Sequence, residues 1–282
     1  MNKQLIEKIH EAVLQMMEDV LFDKKKHIYT RVSDGSWLQG VSTVSSIVPK
    51  PWLPAWGAKE VVKYLGFSDY DEFENAEKML EKIKKMDVDT YFNFLKYAKG
   101  ASSRKSKDAL ADGTKGHAWL ETYVKARIRN EVLPEIPGGM LERPINQFLE
   151  WENNVDYWIL SEAQVVSLKH SYAGTLDGLA MMKTGKLALI DFKFASRISE
   201  DAYLQTAGYQ NCFEEYDIHV DQRIIIRLPK TLTIDLYDKK TRTYSKVENK
   251  LEAEIVKTDY NLDRDVFIHC LPLKRWINAL NK

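Results

Sequence analysis

The chain has few cysteines, no net charge and no long apolar run, and each shortage excludes a class of protein. Its 282 residues include only Cys212 and Cys270, which give neither a zinc-ligand spacing nor a disulfide framework. No apolar run approaches the roughly 20 residues that cross a bilayer. The segment from Met1 to Phe22 is interrupted by Lys, Glu, His and Asp, so it lacks the continuous apolar region of a secretion signal. We therefore expect a cytoplasmic protein without a membrane partner.

The zero net charge hides an uneven distribution of charge. The 41 basic and 41 acidic residues balance, which by itself argues against a polyanionic partner. Between Lys82 and Asn130, however, 12 Lys or Arg residues stand against 5 Asp or Glu residues. This excess suits contact with phosphates, although two solvated helix faces would show the same pattern. The cations that we expect to bind nucleic acid are Arg104, Lys105, Lys107 and Lys115.

The stretch from Tyr172 to Phe194 places charged residues in an apolar, strand-like sequence. A turn at residues 183–186 predicts a hairpin, and Asp191 and Lys193 lie on one face of its second strand. Asp177 ends or nearly ends the first strand, so an antiparallel return brings the two carboxylates side by side. Such carboxylates repel each other unless a divalent cation lies between them. The pattern predicts a metal site, with Lys193 able to orient or deprotonate a water molecule.

Two further polar groups flank this stretch. The segment Gly113-Thr-Lys-Gly-His117 opens an apparent helix, where a neutral imidazole would be a good third metal ligand. A lone histidine is more often structural. Residues 200–216 predict a second helix, in which Gln205 and Tyr209 are neighbours on one face. They belong either to the buried apolar face of an amphipathic helix, which then includes one amide, or to a pair that hydrogen-bonds a phosphate or base and positions the lysine.

Taken in order, these motifs resemble the PD-(D/E)XK nuclease superfamily in its RecB-like branch, which includes many phage exonucleases. The resemblance covers roughly residues 113–228. It implies an α/β fold with a restriction-endonuclease-like core, in which a mixed central sheet is flanked by helices and residues 223–228 form the last core strand. The matching motifs are Gly113-x-x-x-His117, Gly174-x-x-Asp177, Asp191-x-Lys193 and Gln205-x-x-x-Tyr209.

The resemblance also implies how a metal is held. His117, Asp177 and Asp191 would bind one or two Mg²⁺ or Mn²⁺ ions, helped by the backbone carbonyl of Phe192. Glu162 stands where many relatives have an acidic residue at the start of the first core strand. An accessory metal-site residue and a solvated strand end are equally good interpretations of Glu162.

The remaining roles follow from the same resemblance. Lys193 would be the catalytic lysine, acting with Asp177 and Asp191, while Gln205 and Tyr209 would support the site and Tyr209 would also contact nucleic acid. Several members of the branch bind an iron–sulfur cluster through four cysteines. This chain has two cysteines, so we expect no such cluster.

The implied function is metal-dependent hydrolysis of DNA phosphodiester bonds in recombination, repair or replication. We expect an exonuclease that prefers single-stranded or end-exposed DNA, with a recombination or single-strand-binding protein as a further partner. One alternative is a structure- or sequence-specific endonuclease on the same fold. The other is a non-catalytic nucleic-acid-binding recombination protein. The three charged residues at positions 177, 191 and 193 argue against this alternative, because nothing structural needs all three together.

The first third of the chain predicts mainly helices. Residues 2–22 have an amphipathic helical pattern, and residues 37–48 predict a strand and a turn. Residues 49–56, rich in proline and tryptophan, predict a rigid connector into a helix over residues 57–65. We also predict helices over residues 70–99 and 115–129.

Two tryptophans in the connector leave two interpretations open. Trp52 and Trp56 could stack on exposed bases, as in single-strand channels, or pack a helical segment onto the core. Packing is the favoured interpretation. For the domain organisation, we predict a mainly helical N-terminal elaboration over residues 1–100, packed on a nuclease core over residues 101–282.

Overall fold

A computed structural model of the chain describes residues 2–67, 73–238 and 243–280. It divides into a first unit, Met1–Val48 with Lys115–Lys282, and a second unit, Pro49–Thr114. This division differs from the predicted boundary at residue 100. The first 48 residues belong with the core because one of their strands pairs directly with a core strand.

The first unit is an α/β protein with a mixed sheet flanked by helices. The sheet strands are β1 (Val20–Asp23), β2 (Ile28–Arg31), β3 (Trp37–Gly40), β4 (Val155–Ser167), β5 (Tyr172–Met182), β6 (Leu187–Lys193), β7 (Gln222–Arg227) and β10 (Glu252–Ile255). Strands β8 (Thr233–Asp238) and β9 (Thr243–Glu248) form a separate hairpin. The helices of this unit are α1 (Lys3–Met17), α2 (Val41–Ser45), α7 (Glu142–Glu152), α8 (Asp201–Glu214) and α9 (Tyr260–Leu280).

The second unit is helical. It contains α3 (Trp52–Tyr64), α4 (Glu74–Lys84), α5 (Val88–Lys99) and the beginning of α6 (Ala101–Arg129), which continues into the first unit. No helix in the described ranges is both long and apolar enough to cross a membrane.

Strand β5 has an unusual set of neighbours. Strand β4 pairs with it along its length, so β3 and β6 share its other edge. Strand β3 pairs in parallel with Tyr172 and Ala173, whereas β6 pairs antiparallel with residues 178–181. Within the described chain, residues 174–177 therefore have no strand partner on that edge. This gap between β3 and β6 is an opening in the sheet. Polar side chains can approach one another at the opening without entering the hydrophobic core.

Helices cover both faces of this sheet. Helices α1, α2, α8 and α9 supply Ile9, Val44, Phe213 and Phe267 to one apolar cluster, which packs against residues of β4 and β5. The second half of α6 and helix α7 supply a second cluster with β6 and β7, including Leu120, Tyr123, Phe148, Phe192 and Ile226. Each fully buried side chain of this size contributes about 1.5–3 kcal/mol relative to exposure. The opening in β5 therefore lies in the sheet between two packed apolar layers.

The N-terminal segment has a shorter first helix and more strands than predicted. Helix α1 begins where the Asn2 side chain accepts a hydrogen bond from the Leu5 amide, at 3.2 Å. It ends at Met17, because Asp19 accepts hydrogen bonds from Ser33 and the chain then enters β1. The predicted helix over residues 2–22 was therefore too long, and the N-terminal third is not only helical.

Other predicted boundaries also shift. The predicted connector at residues 49–56 is partly helical, since α3 begins at Trp52 rather than at residue 57. Proline is tolerated in the first turn of a helix because that turn lacks intrahelical partners for its amide groups. Residues 41–45 of the predicted strand and turn form the short helix α2. The predicted helix over residues 70–99 corresponds to α4 and α5, apart from residues 70–72, which lie outside the described residues.

Candidate active site

Strand β6 ends in Asp191 and Lys193, which lie on one face as predicted and form an ion pair that was not predicted. Lys193 Nζ lies 2.8 Å from Oδ1 and 2.7 Å from Oδ2 of Asp191, so the two side chains share one face of the strand. Ile190 and Phe192 point into the apolar cluster on the other face, as predicted. Asp191 is 1% exposed, and such burial of a carboxylate is costly unless the charge is paired.

The electrostatics of this pair favour a protonated lysine. Burial lowers the pKa of Lys193, but Asp191 and Asp177 outweigh burial and hold the pKa above its ordinary value. Burial also raises the pKa of Asp191, against the lowering effect of Lys193. In this arrangement Lys193 is a fixed cation rather than a proton acceptor.

Asp177 lies beside this pair, but not at the predicted place in its strand. It is in the middle of β5, because the strand continues to Met182. The last registered pair between β5 and β6 is Gly178 with Ile190, so Asp177 and Asp191 are the next residues at the sheet opening. Asp177 Oδ2 accepts a hydrogen bond of 2.6 Å from the Phe192 amide. The role of the Phe192 carbonyl as a metal ligand stays a prediction.

Three metal-ligating side chains converge next to Asp177. His117, Glu162 and Asp177 each offer one ligand atom, and these atoms lie within 4.8 Å of one another. His117 Nδ1 is 3.7 Å from Asp177 Oδ1. The prediction placed His117 near the start of a helix, whereas it lies well inside α6, which begins at Ala101. Asp191 is not in this group of three, since its carboxylate is held by Lys193.

Glu162 is at the centre of β4, not at the start of a strand as predicted. Its neighbours Ser161 and Ala163 pair with Gly178 and Leu176, so Glu162 lies opposite Asp177. Its backbone has φ +49°, a left-handed conformation that is uncommon for a non-glycine residue and is enriched at functional sites.

The environment of Glu162 excludes a solvated strand end. Burial and the neighbouring carboxylates of Asp177 and Glu121 raise the pKa of Glu162 to about 8, against the opposing effect of Lys125 and Lys24. Two carboxylates facing each other across a sheet destabilise it unless a proton or a cation lies between them.

Helix α8 brings its polar pair to the lysine. Gln205 Oε1 accepts a hydrogen bond of 3.0 Å from Lys193 Nζ, and Gln205 Nε2 donates one of 3.1 Å to Tyr209 Oη. Burial raises the pKa of Tyr209 well above its ordinary value. A Cβ at Gly174 would lie 2.6 Å from Tyr209 Cε1, so the glycine makes room for the ring. The chain Tyr209–Gln205–Lys193 fixes the position of the ammonium group.

Two contacts at the site were not predicted from the sequence. The Phe194 ring packs on the backbone of Gly116 and lies edge-on to His117, with ring centroids 5.5 Å apart. A glycine inside a helix, next to a candidate ligand, could have signalled this close approach. Tyr29 Oη is 2.6 Å from Thr175 Oγ1, two residues from Asp177. No sequence signal could have identified Tyr29, because it comes from a hairpin about 150 residues away.

Most residues predicted to bind nucleic acid are in the second unit. Arg104 stacks on Tyr97, with its Cζ 3.4 Å from the ring centroid, and donates to the Tyr97 carbonyl. Lys105 pairs with Glu60 at 2.8 Å. Lys107, Trp52 and Trp56 belong to the same unit, and both tryptophans are half-buried on α3. Lys115 is an exposed residue of α6 in the first unit. Their contact with nucleic acid stays a prediction.

No family model matches the chain, and a search of curated proteins gave no match either. The fold and the geometry of the site are therefore what supports a functional proposal.

Proposed function

We propose that this chain is a metal-dependent deoxyribonuclease with a restriction-endonuclease-like core of the PD-(D/E)XK type. The observation that carries the proposal is the ion pair of buried Asp191 with partly buried Lys193, next to the group of His117, Glu162 and Asp177. Removing charged groups from water, fully for Asp191 and partly for the other four, costs free energy that apolar residues would avoid. A chain that needed only a stable sheet would not retain all five ionisable groups at one opening.

The donor set fits a divalent cation such as Mg²⁺ or Mn²⁺. His117, Asp177 and Asp191 would hold it, and Glu162 would add a further carboxylate. Carboxylate oxygens are the ligands that hard cations prefer, and an imidazole is compatible with Mn²⁺. Both oxygens of Asp191 contact Lys193 Nζ, at 2.8 and 2.7 Å, so a cation bound by this carboxylate would share it with the lysine. A bound ion would polarise the phosphate and stabilise the leaving oxygen.

Lys193 would orient the attacking water and stabilise negative charge at the phosphate. Because its pKa is raised, the ammonium group acts as a donor of hydrogen bonds rather than as the base. Gln205 and Tyr209 are positioning residues, since they hold Lys193 through the hydrogen bonds at 3.0 and 3.1 Å. A substitution at Gln205 should therefore lower kcat more than it changes KM.

A nuclease assay tests the proposal. Wild-type protein is incubated with end-labelled single-stranded and duplex DNA in Mg²⁺, Mn²⁺ or EDTA, beside Lys193→Ala and the matched variant Lys183→Ala. Lys183 is an exposed residue of the turn between β5 and β6. We expect hydrolysis with metal only, and a loss of about 100-fold or more for Lys193→Ala alone. Intact DNA with wild type in both metals, or full activity of Lys193→Ala, would overturn the proposal.

Closed circular DNA separates the two kinds of nuclease. By the resemblance we expect an exonuclease acting on single-stranded or end-exposed DNA, for which circular strands are resistant. Cleavage of single-stranded and duplex circles at the rate of linear DNA would instead establish an endonuclease on this fold.

A further inference from the structure

The hairpin of β1 and β2 carries an exposed lysine cluster close to the candidate site. Its turn has the sequence Asp23-Lys-Lys-Lys-His27, and the lysine cluster consists of Lys24, Lys25 and Lys26. All three side chains are exposed. A run of lysines in a turn is usually only solvated surface, so its shape and its location decide whether it has a role.

The turn is held in a defined shape. Asp23 Oδ1 accepts hydrogen bonds from the amides of Lys25 and Lys26, at 2.9 and 3.1 Å. His27 adopts a left-handed backbone with φ +53° and packs edge-on to Phe22 at 5.2 Å. A turn fixed by its own side chain and by aromatic packing presents its cations with little further loss of backbone entropy on binding.

The hairpin is attached directly to the sheet opening. Phe22 stacks on Tyr29 with ring centroids 4.5 Å apart, and Tyr29 Oη is 2.6 Å from Thr175 Oγ1. Thr175 and Asp177 are two residues apart on β5. The hydroxyl contact therefore places the base of the lysine turn at the same opening that holds the candidate metal ligands.

The turn also contains one acidic residue. This residue is Asp23, whose Oδ1 accepts the hydrogen bonds from the turn amides.

We propose that Lys24, Lys25 and Lys26 form a phosphate-binding turn that holds the nucleic-acid backbone beside the site. This inference rests on the proposed function for its ligand, a single strand of DNA, but it concerns binding rather than hydrolysis. Each lysine that neutralises a phosphate releases counterions, so affinity for a single strand falls with salt by a slope of roughly 0.7 per contact.

Salt-dependent binding tests the turn. Anisotropy of a fluorescein-labelled thymidine oligonucleotide is measured over a KCl series in EDTA, so that hydrolysis cannot occur. The variant Lys24→Gln/Lys25→Gln is compared with wild type and with Lys183→Gln/Lys186→Gln, which removes two exposed cations from the turn between β5 and β6. Thermal melts of the three proteins verify that each is folded.

The turn variant should lose about 1.4 from the salt slope and bind roughly 25-fold more weakly near 0.1 M salt, whereas the control variant keeps the wild-type slope. Equal slopes for all three proteins, equal losses in both variants, or no binding by wild type would overturn the inference. Because the readout needs no metal, these outcomes are separate from the nuclease assay. A protein that hydrolyses DNA while its turn variant binds normally would refute only the phosphate-binding turn.

Discussion

Glu162→Gln gives the sharpest test of the site's electrostatics, because it removes one charge and keeps the shape of the side chain. The folded protein raises the pKa of this carboxyl from its ordinary value of 4.5 to about 8, chiefly through burial. Below pH 4.5 the group is protonated in the folded and the unfolded chain. Between pH 4.5 and 8 it ionises in the unfolded chain only, so the free energy of unfolding falls as pH rises. Above pH 8 Glu162 is ionised in the folded chain as well, and the free energy of unfolding has fallen by its full amount.

The magnitude follows from the pKa values. A rise from 4.5 to about 8 corresponds to roughly 5 kcal/mol against the ionised form if nothing relaxes. The side chain is partly open to solvent, so we take about 2 kcal/mol as the expected destabilisation. For a chain of this length, that corresponds to a shift of about 4 °C in Tm. Glu162→Gln should be more stable than wild type by this amount at pH 9 and about equal to it at pH 5.

The assay is urea denaturation in EDTA at both pH values, with Glu7→Gln as a control on the exposed face of α1. The control should show no pH-dependent difference from wild type. Addition of Mn²⁺ should change which of the two proteins, wild type or Glu162→Gln, is the more stable. An ion that binds only the folded state stabilises it by about 2.7 kcal/mol at 100 times its Kd. Wild type should gain more than Glu162→Gln. A variant that is no more stable than wild type at pH 9 would refute the reasoning.

Two further substitutions test the packing around the site, each by urea denaturation. Gly116→Ala should cost about 1–3 kcal/mol, since its Cβ would overlap Phe194 Cζ and the ring would have to leave its packed position; an unchanged midpoint would contradict that close approach. Glu152 is buried, lies 2.7 Å from Arg127 and accepts a hydrogen bond from Trp158 Nε1 at 3.0 Å. Glu152→Ala should cost about 2–4 kcal/mol and Glu152→Gln less, because the amide oxygen can still accept from the indole. Equal losses would show that the indole contact contributes nothing.

The parts of the site that lie within one hairpin could be predicted from the sequence. A strand period of two places Asp191 and Lys193 on one face, and the turn at residues 183–186 lies between β5 and β6 as predicted. The helical spacing that makes Gln205 and Tyr209 neighbours is confirmed by their hydrogen bond. These relations depend on local geometry, which the sequence encodes directly.

The parts that depend on long-range pairing could not be predicted. The place of Asp177 within β5 depends on where β3 and β6 leave that strand, and β3 comes from the N-terminal segment. The location of Glu162 opposite Asp177 depends on the register of β4, which a sequence pattern does not fix. The contact of Tyr29 with Thr175 joins residues far apart in the chain. Turn chemistry and periodicity contain no information about such contacts.

The central claim is that one divalent cation site and Lys193 together form a hydrolytic centre at the opening of the sheet. Anomalous scattering from crystals grown with Mn²⁺ tests it most directly. We expect a manganese peak among His117, Asp177 and Asp191, which is lost in Asp177→Asn crystals grown in the same way. A well-occupied peak elsewhere with none among these residues, or no peak at saturating Mn²⁺, would contradict the account.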